Sequence, residues 1–227
     1  MSWVVSVFRS AIVKKAVMAV TGVALFGFVL GHMLGNLKIY LGSEDFNHYA
    51  EWLREMGSPA LPHGSALWIA RAGLLAAVLL HMLSAWQVTR LSHASRPLHY
   101  RKLGTQAATY ASRTMRWGGV IIALFVVYHL AHLTFGWSWA HPNFVAGDPY
   151  QNLVAGFSVW WVAALYMVAQ LALGLHLYHG VWSLFQSLGW NHPRFNEWRK
   201  GLARVFAIIV TVGNLSFPLA VLSGVVR

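Results

Sequence analysis

The sequence predicts an all-α integral membrane protein built as a bundle of five transmembrane helices. Three observations carry that prediction. Hydrophobic residues fill 57% of the 227 positions and charged residues only 10%, and the mean hydropathy is +0.52, which is too apolar for a water-soluble domain. Five apolar runs of roughly 18 to 27 residues each have the length needed to cross a hydrocarbon layer of about 30 Å. Lys and Arg collect in alternate connections between those runs. The net charge of +11 would point to nucleic acid in a soluble chain, but here it reports membrane topology and no nucleic-acid partner. There is no cysteine. Disulfides, thiolate-ligated haem, cysteine-held iron–sulfur clusters and thiol catalysis are therefore excluded within this chain.

Residues 1–13 form a short apolar lead-in broken by Arg9 and Ser10, without the small-residue cleavage site of a signal peptide. Span I is expected over 16–37. It carries Gly22, Gly27, Gly31 and Gly35, small enough for close approach by a helix or a flat ligand, and one strongly polar residue, His32. The connection 38–64 holds four of the six acidic residues. Within it, Ser43, Asp45, Phe46, Tyr49, Trp52 and Leu53 predict a capped amphipathic helix on the surface, ended by Gly57 and Pro59. Span II, 66–88, contains Arg71 and His81, and a basic connection follows. Span III, 117–135, contains His129 and His132. The loop 136–157 has no Lys or Arg and is rich in Trp, Pro and Gly. Span IV, 158–184, includes the run LHLYHG with His176 and His179, and span V covers 205–222. The whole reads as a single transmembrane domain, 1–227.

Thirteen of the seventeen Lys and Arg lie in the N-terminal segment, the II–III connection and the IV–V connection, and five of the six acids lie on the opposite side. The positive-inside rule then sets the N-terminus in the cytoplasm and the C-terminus outside. Counting from the basic boundary at 1.5 Å per residue, His32 and His129 lie about 25 and 20 Å up, and His81 and His179 about 14 and 10 Å up. Four helices thus offer imidazoles at two depths, each depth supplied by two helices. A lone intramembrane His often serves only as a hydrogen-bonding partner between helices. Four at matched depths point to bis-imidazole ligation of two haem irons, because ionisable groups in a bilayer are costly and mark function. His132 and His176 then remain as hydrogen-bonding or packing neighbours. Gly180 leaves room for a porphyrin beside His179 and favours it over His176, although i and i+3 share a face. His48, His63, His93, His99, His141 and His192 fall in connections, where a solvated or interfacial His is expected.

Several runs carry a family resemblance: KKAVMAVTGVALFGFVLGHMLGNL, FNHYAEWLR, YHLAHLTFG and HLYHGVWSLFQSLGWNHPR, in this order. They resemble the cytochrome b membrane anchor of succinate dehydrogenase and fumarate reductase, in its single-chain, five-helix, two-haem form. The resemblance implies a bundle binding two haems b through His81 with His179 near the inner face and His32 with His129 near the outer face. It also implies an FAD-containing flavoprotein and an iron–sulfur subunit docked on the cytoplasmic face of a bacterial inner membrane, exchanging electrons with menaquinone or another quinone in the service of the tricarboxylic acid cycle. The chain itself has no residues for flavin or succinate chemistry, so enzyme activity belongs to the complex. An electron carried from the inside to an outer quinone site gains about 2.3 kcal/mol per 100 mV, which would help reduce a low-potential quinone.

Arg71, about 15 Å outward of His81, is a candidate partner for a propionate or quinone, with an interfacial snorkelling Arg as the alternative. Arg113 and Arg116 are candidates at the inner level. Glu51 and Glu55 are candidates for quinone proton exchange. Competing readings are the cytochrome b anchor of a hydrogenase or formate dehydrogenase and a His-dependent transporter. The latter should show internal repeats or matching broken spans, and only span V, with Gly213 and Pro218, approaches that.

Overall fold

In lipid, a spanning segment must satisfy its own backbone N–H and C=O groups, which leaves long apolar runs no option but the helix. The computed structural model describes residues 10–95, 110–190 and 192–227. Among them are seven α-helices and no strand: α1 (Ala11–Asn36), α2 (Ser43–Glu55), α3 (Ser65–Ala94), α4 (Tyr110–His129), α5 (Pro149–Phe157), α6 (Trp160–Ser187) and α7 (Asn196–Leu222). Five of them, α1, α3, α4, α6 and α7, are long and apolar enough to cross a membrane.

Several helices outrun their apolar stretches. Helix α1 begins at Ala11, because Ser10 is its N-cap and accepts a hydrogen bond from Val13 N at 3.3 Å. Helix α3 continues to Ala94, past an Arg90 whose guanidinium lies over the Trp86 ring at 5.0 Å. The expected surface helix is present as α2, but Ser43 does not cap it. That position falls to Gly42, whose φ of 104° suits only glycine. The loop after span III holds an unexpected short helix, α5, capped by Asp148 through Gln151 N at 3.0 Å and opened by Pro149. It buries Leu153, Val154 and Phe157.

Helix α2, helix α5 and the C-terminus gather at one end of the bundle. Asn47 Nδ2 donates to Asp148 Oδ1 at 2.9 Å, Tyr150 N donates to Asn47 Oδ1 at 3.0 Å, and Tyr150 OH donates to Arg227 O at 2.9 Å. At the other end Arg116 Nη1 donates to His93 Nε2 at 2.9 Å, joining α4 to α3. There Arg199, 2% exposed, donates to the carbonyls of Trp190 and His192 and to the Asn196 side chain.

Packing divides the spans into two sets. Helix α1 lies along α3, while α4 and α7 lie along α6, and the α1/α3 pair meets the α4/α6 pair more sparsely. Close approach relies on missing side chains: Gly174 on α6 admits Thr211 of α7, and Gly213 on α7 admits Met33 of α1. Phe26 and Phe206 close the α1–α7 contact with ring centres 4.2 Å apart. Outside, α3 exposes Trp68, Leu75, Leu79 and Leu83, a surface compatible with lipid tails.

Candidate functional site

Where the α1/α3 pair faces the α4/α6 pair, the contacts are made by imidazoles. His32 of α1 meets His129 of α4 with ring centres 5.9 Å apart and planes at 83°. His81 of α3 meets His176 of α6 at 6.3 Å and 63°. The two levels are separated along α6: Tyr166, which touches His129, and His176 are ten residues apart, or about 15 Å. His32 is exposed, and His81, His129 and His176 are half-buried. A Cβ added at Gly27, Gly31 or Gly73 would meet no atom within 4 Å.

Each ring is held from its other side. His81 Nδ1 lies 3.0 Å from Met18 O and 3.3 Å from Thr21 Oγ1, and Gly22 lets the ring sit against α1. A carbonyl only accepts, so Nδ1 carries the proton and Nε2 keeps a free lone pair, the form in which an imidazole binds metal. His129 Nδ1 lies 3.3 Å from Tyr166 OH. His32 stacks on Phe28 with ring centres 5.3 Å apart. His176 lies beside Gly119 of α4 and lines a cavity of about 200 Å³ together with Met115, Gly118 and Ala172.

These residues fit a haem. Two imidazoles bound trans to one metal by bonds of about 2 Å place their ring centres about 6 Å apart, matching the separations of 5.9 and 6.3 Å. Among the described residues no three His, Asp or Glu side chains converge as a metal site. An imidazole pair supplies two ligands only, and a porphyrin would supply four more from its ring nitrogens.

His129 and His32 come together as the sequence reading has them. His81 has His176 as its ring partner and not the expected His179. His176 and His179 share a face of α6, about 60° apart in projection, and it is the His176 ring that meets His81. Arg71 is exposed and lies over the Trp68 ring at 4.9 Å. Glu51 pairs with Arg54 at 2.7 Å and approaches His63 Nε2 at 3.7 Å. Glu55 lines a surface cavity of about 520 Å³ with His63 and Trp52. Arg116 is engaged with His93, and the side chain of Arg113 lies outside the described residues, as does His99.

A polar cluster beside His129 was not foreseen. His132 is fully buried, and its Nδ1 lies 2.9 Å from Tyr166 OH. His141, expected at an interface, is 3% exposed, stacks on His132 at 4.7 Å and donates from Nε2 to Asn152 O at 2.8 Å. His132 sits in a π-turn, Leu130–Thr134, that begins directly after His129. Only the spacing HLAH signalled it.

A family model, the succinate dehydrogenase/fumarate reductase transmembrane subunit, matches residues 90–215. The matched stretch includes His129, His132, His176 and His179 and stops short of His32 and His81. No curated protein and no solved structure matches the chain significantly.

Proposed function

The chain belongs to the succinate dehydrogenase/fumarate reductase transmembrane-subunit family, and from that premise we propose that it is the di-haem cytochrome b anchor of a succinate:quinone oxidoreductase, passing electrons between an iron–sulfur subunit and menaquinone. The observation that carries the reading is the pair of interhelical imidazole contacts at 5.9 and 6.3 Å, spaced for one iron each. His32 and His129 hold one haem. His81 holds the other with His176, in place of His179. Held by two imidazoles, each haem would supply a one-electron carrier that does not bind oxygen.

The protein's own residues orient these ligands. The Met18 carbonyl fixes the tautomer of His81, and Tyr166 is the corresponding partner of His129. Gly22 and Gly119 allow the His81 and His176 rings to lie close to neighbouring helices. The end carrying Arg116, Arg194, Lys200 and Arg204 faces the cytoplasm of a bacterial inner membrane, where the flavoprotein and iron–sulfur subunits dock. The end carrying α2, α5 and the C-terminus faces outward. There Glu55, in the cavity beside His63, and Glu51 are the candidates to exchange the quinone's protons with water.

The test is a dithionite-reduced minus oxidised spectrum and a redox titration of the purified protein. We expect two haems b per chain with separate midpoint potentials. A chain isolated from haem-replete cells without a haem b spectrum overturns the reading.

A further inference from the structure

On the reading that His129 is a haem ligand, we propose that Tyr166 is a positioning residue for it and links it to His132 in a directed hydrogen-bond chain, His129–Tyr166–His132, that sets the outer haem's potential apart from the inner one's. Proton placement follows from the partners. A His129 that binds metal through Nε2 carries its proton on Nδ1 and donates it to the Tyr166 oxygen at 3.3 Å. The phenol has one proton, and it goes to His132 Nδ1 at 2.9 Å, the shorter contact. His132 then carries its own proton on Nε2. His141 Nε2 donates to the Asn152 carbonyl at 2.8 Å, leaving Nδ1 as an acceptor. His132 Nε2 and His141 Nδ1 are both buried without a hydrogen-bond partner in the protein, and the two rings meet by stacking.

Every proton in this chain points away from His129. Hydrogen bonds in such a series polarise one another, so a phenol that donates to His132 becomes a better acceptor for His129. The His129 ring gains anionic character, binds ferric iron more strongly and lowers the potential. The inner ligand lacks this arrangement, because His81 Nδ1 donates to the backbone carbonyl of Met18. Tyr166 is also fixed as a ring, edge-on to Phe125 at 4.9 Å and Phe157 at 4.8 Å. Removing its hydroxyl therefore leaves the packing in place.

The experiment is a potentiometric titration, with low-temperature electron paramagnetic resonance, of wild type, Tyr166→Phe and His132→Phe. A His32→Ala variant identifies which potential belongs to the outer haem. In Tyr166→Phe the outer potential should rise and the outer low-spin signal shift, with the inner potential and signal unchanged. His132→Phe, which keeps a ring against His141, should move the outer potential in the same direction by less, and it serves as the test if Tyr166→Phe does not assemble. An outer potential that stays or falls, or equal shifts of both, overturns the proposal. A wild type without two bis-imidazole signals would instead refute the underlying di-haem reading.

Discussion

Gly156→Ala is the sharpest structural prediction, because one methyl group tests whether the buried imidazole cluster is packed as described. An added Cβ would lie 2.6 Å from His132 Cε1, 2.8 Å from His132 Nε2 and 3.4 Å from His141 Nε2. Carbon contacts rest at about 3.5–4.0 Å, so roughly 1 Å of overlap must be relieved. The His132 ring has no free direction: it stacks between His141 at 4.7 Å and Tyr128 at 5.5 Å and is bound to Tyr166. Overpacking costs about 1–3 kcal/mol, and loss of the Tyr166 bond adds about 1 kcal/mol. Replacing a helical glycine returns about 0.5–1 kcal/mol. The net loss is about 2 kcal/mol, or a melting temperature lower by about 4–8 °C. Gly201→Ala is the control, since nothing lies within 4 Å of its Cβ position. Thermal unfolding in detergent should rank Gly156→Ala well below wild type and Gly201→Ala at or above it. Equal stability of the two variants would refute the packing of His132 against α5.

Three further outcomes are expected. Asn152→Ala removes both side-chain bonds to Val145, N to Oδ1 and Nδ2 to O, each 2.7 Å. It should destabilise the protein by about 1–3 kcal/mol, and hydrogen exchange should quicken in residues 137–148. Arg71→Ala should leave both haem spectra and potentials unchanged, because Arg71 is exposed and stacked on Trp68; a shifted potential would instead make it a propionate partner. In sealed vesicles, succinate oxidation by a menaquinone analogue should slow when an uncoupler collapses the potential, which otherwise contributes about 2.3 kcal/mol per electron per 100 mV. Indifference to the uncoupler rules out transmembrane electron transfer in that direction.

Hydropathy sums over windows of about 19 residues, and for that reason the five spans and the four His-bearing helices were legible in the sequence. Small local errors do not disturb such a sum. The pairing of His32 with His129 was legible for a related reason: depth along a helix follows from counting. Helix rotation does not follow from counting when two candidates lie three residues apart, and for that reason the ring contact of His81 with His176 was not legible. Ser10 read as a break and proved to be a cap, because the same hydroxyl serves either role depending on the backbone around it. The Tyr166–His132–His141 cluster joins the π-turn after α4, α6 and the loop before α5. Its members are separated in sequence, and no local pattern links a phenol in one span to two imidazoles elsewhere.

On the proposed reading, iron is held between helices by His32 with His129 and by His81 with His176. The most direct test compares His176→Ala with His179→Ala by redox titration and low-temperature electron paramagnetic resonance. His176→Ala should lose the inner haem and keep the outer, while His179→Ala should keep both. Loss of the inner haem in His179→Ala with both retained in His176→Ala would contradict it.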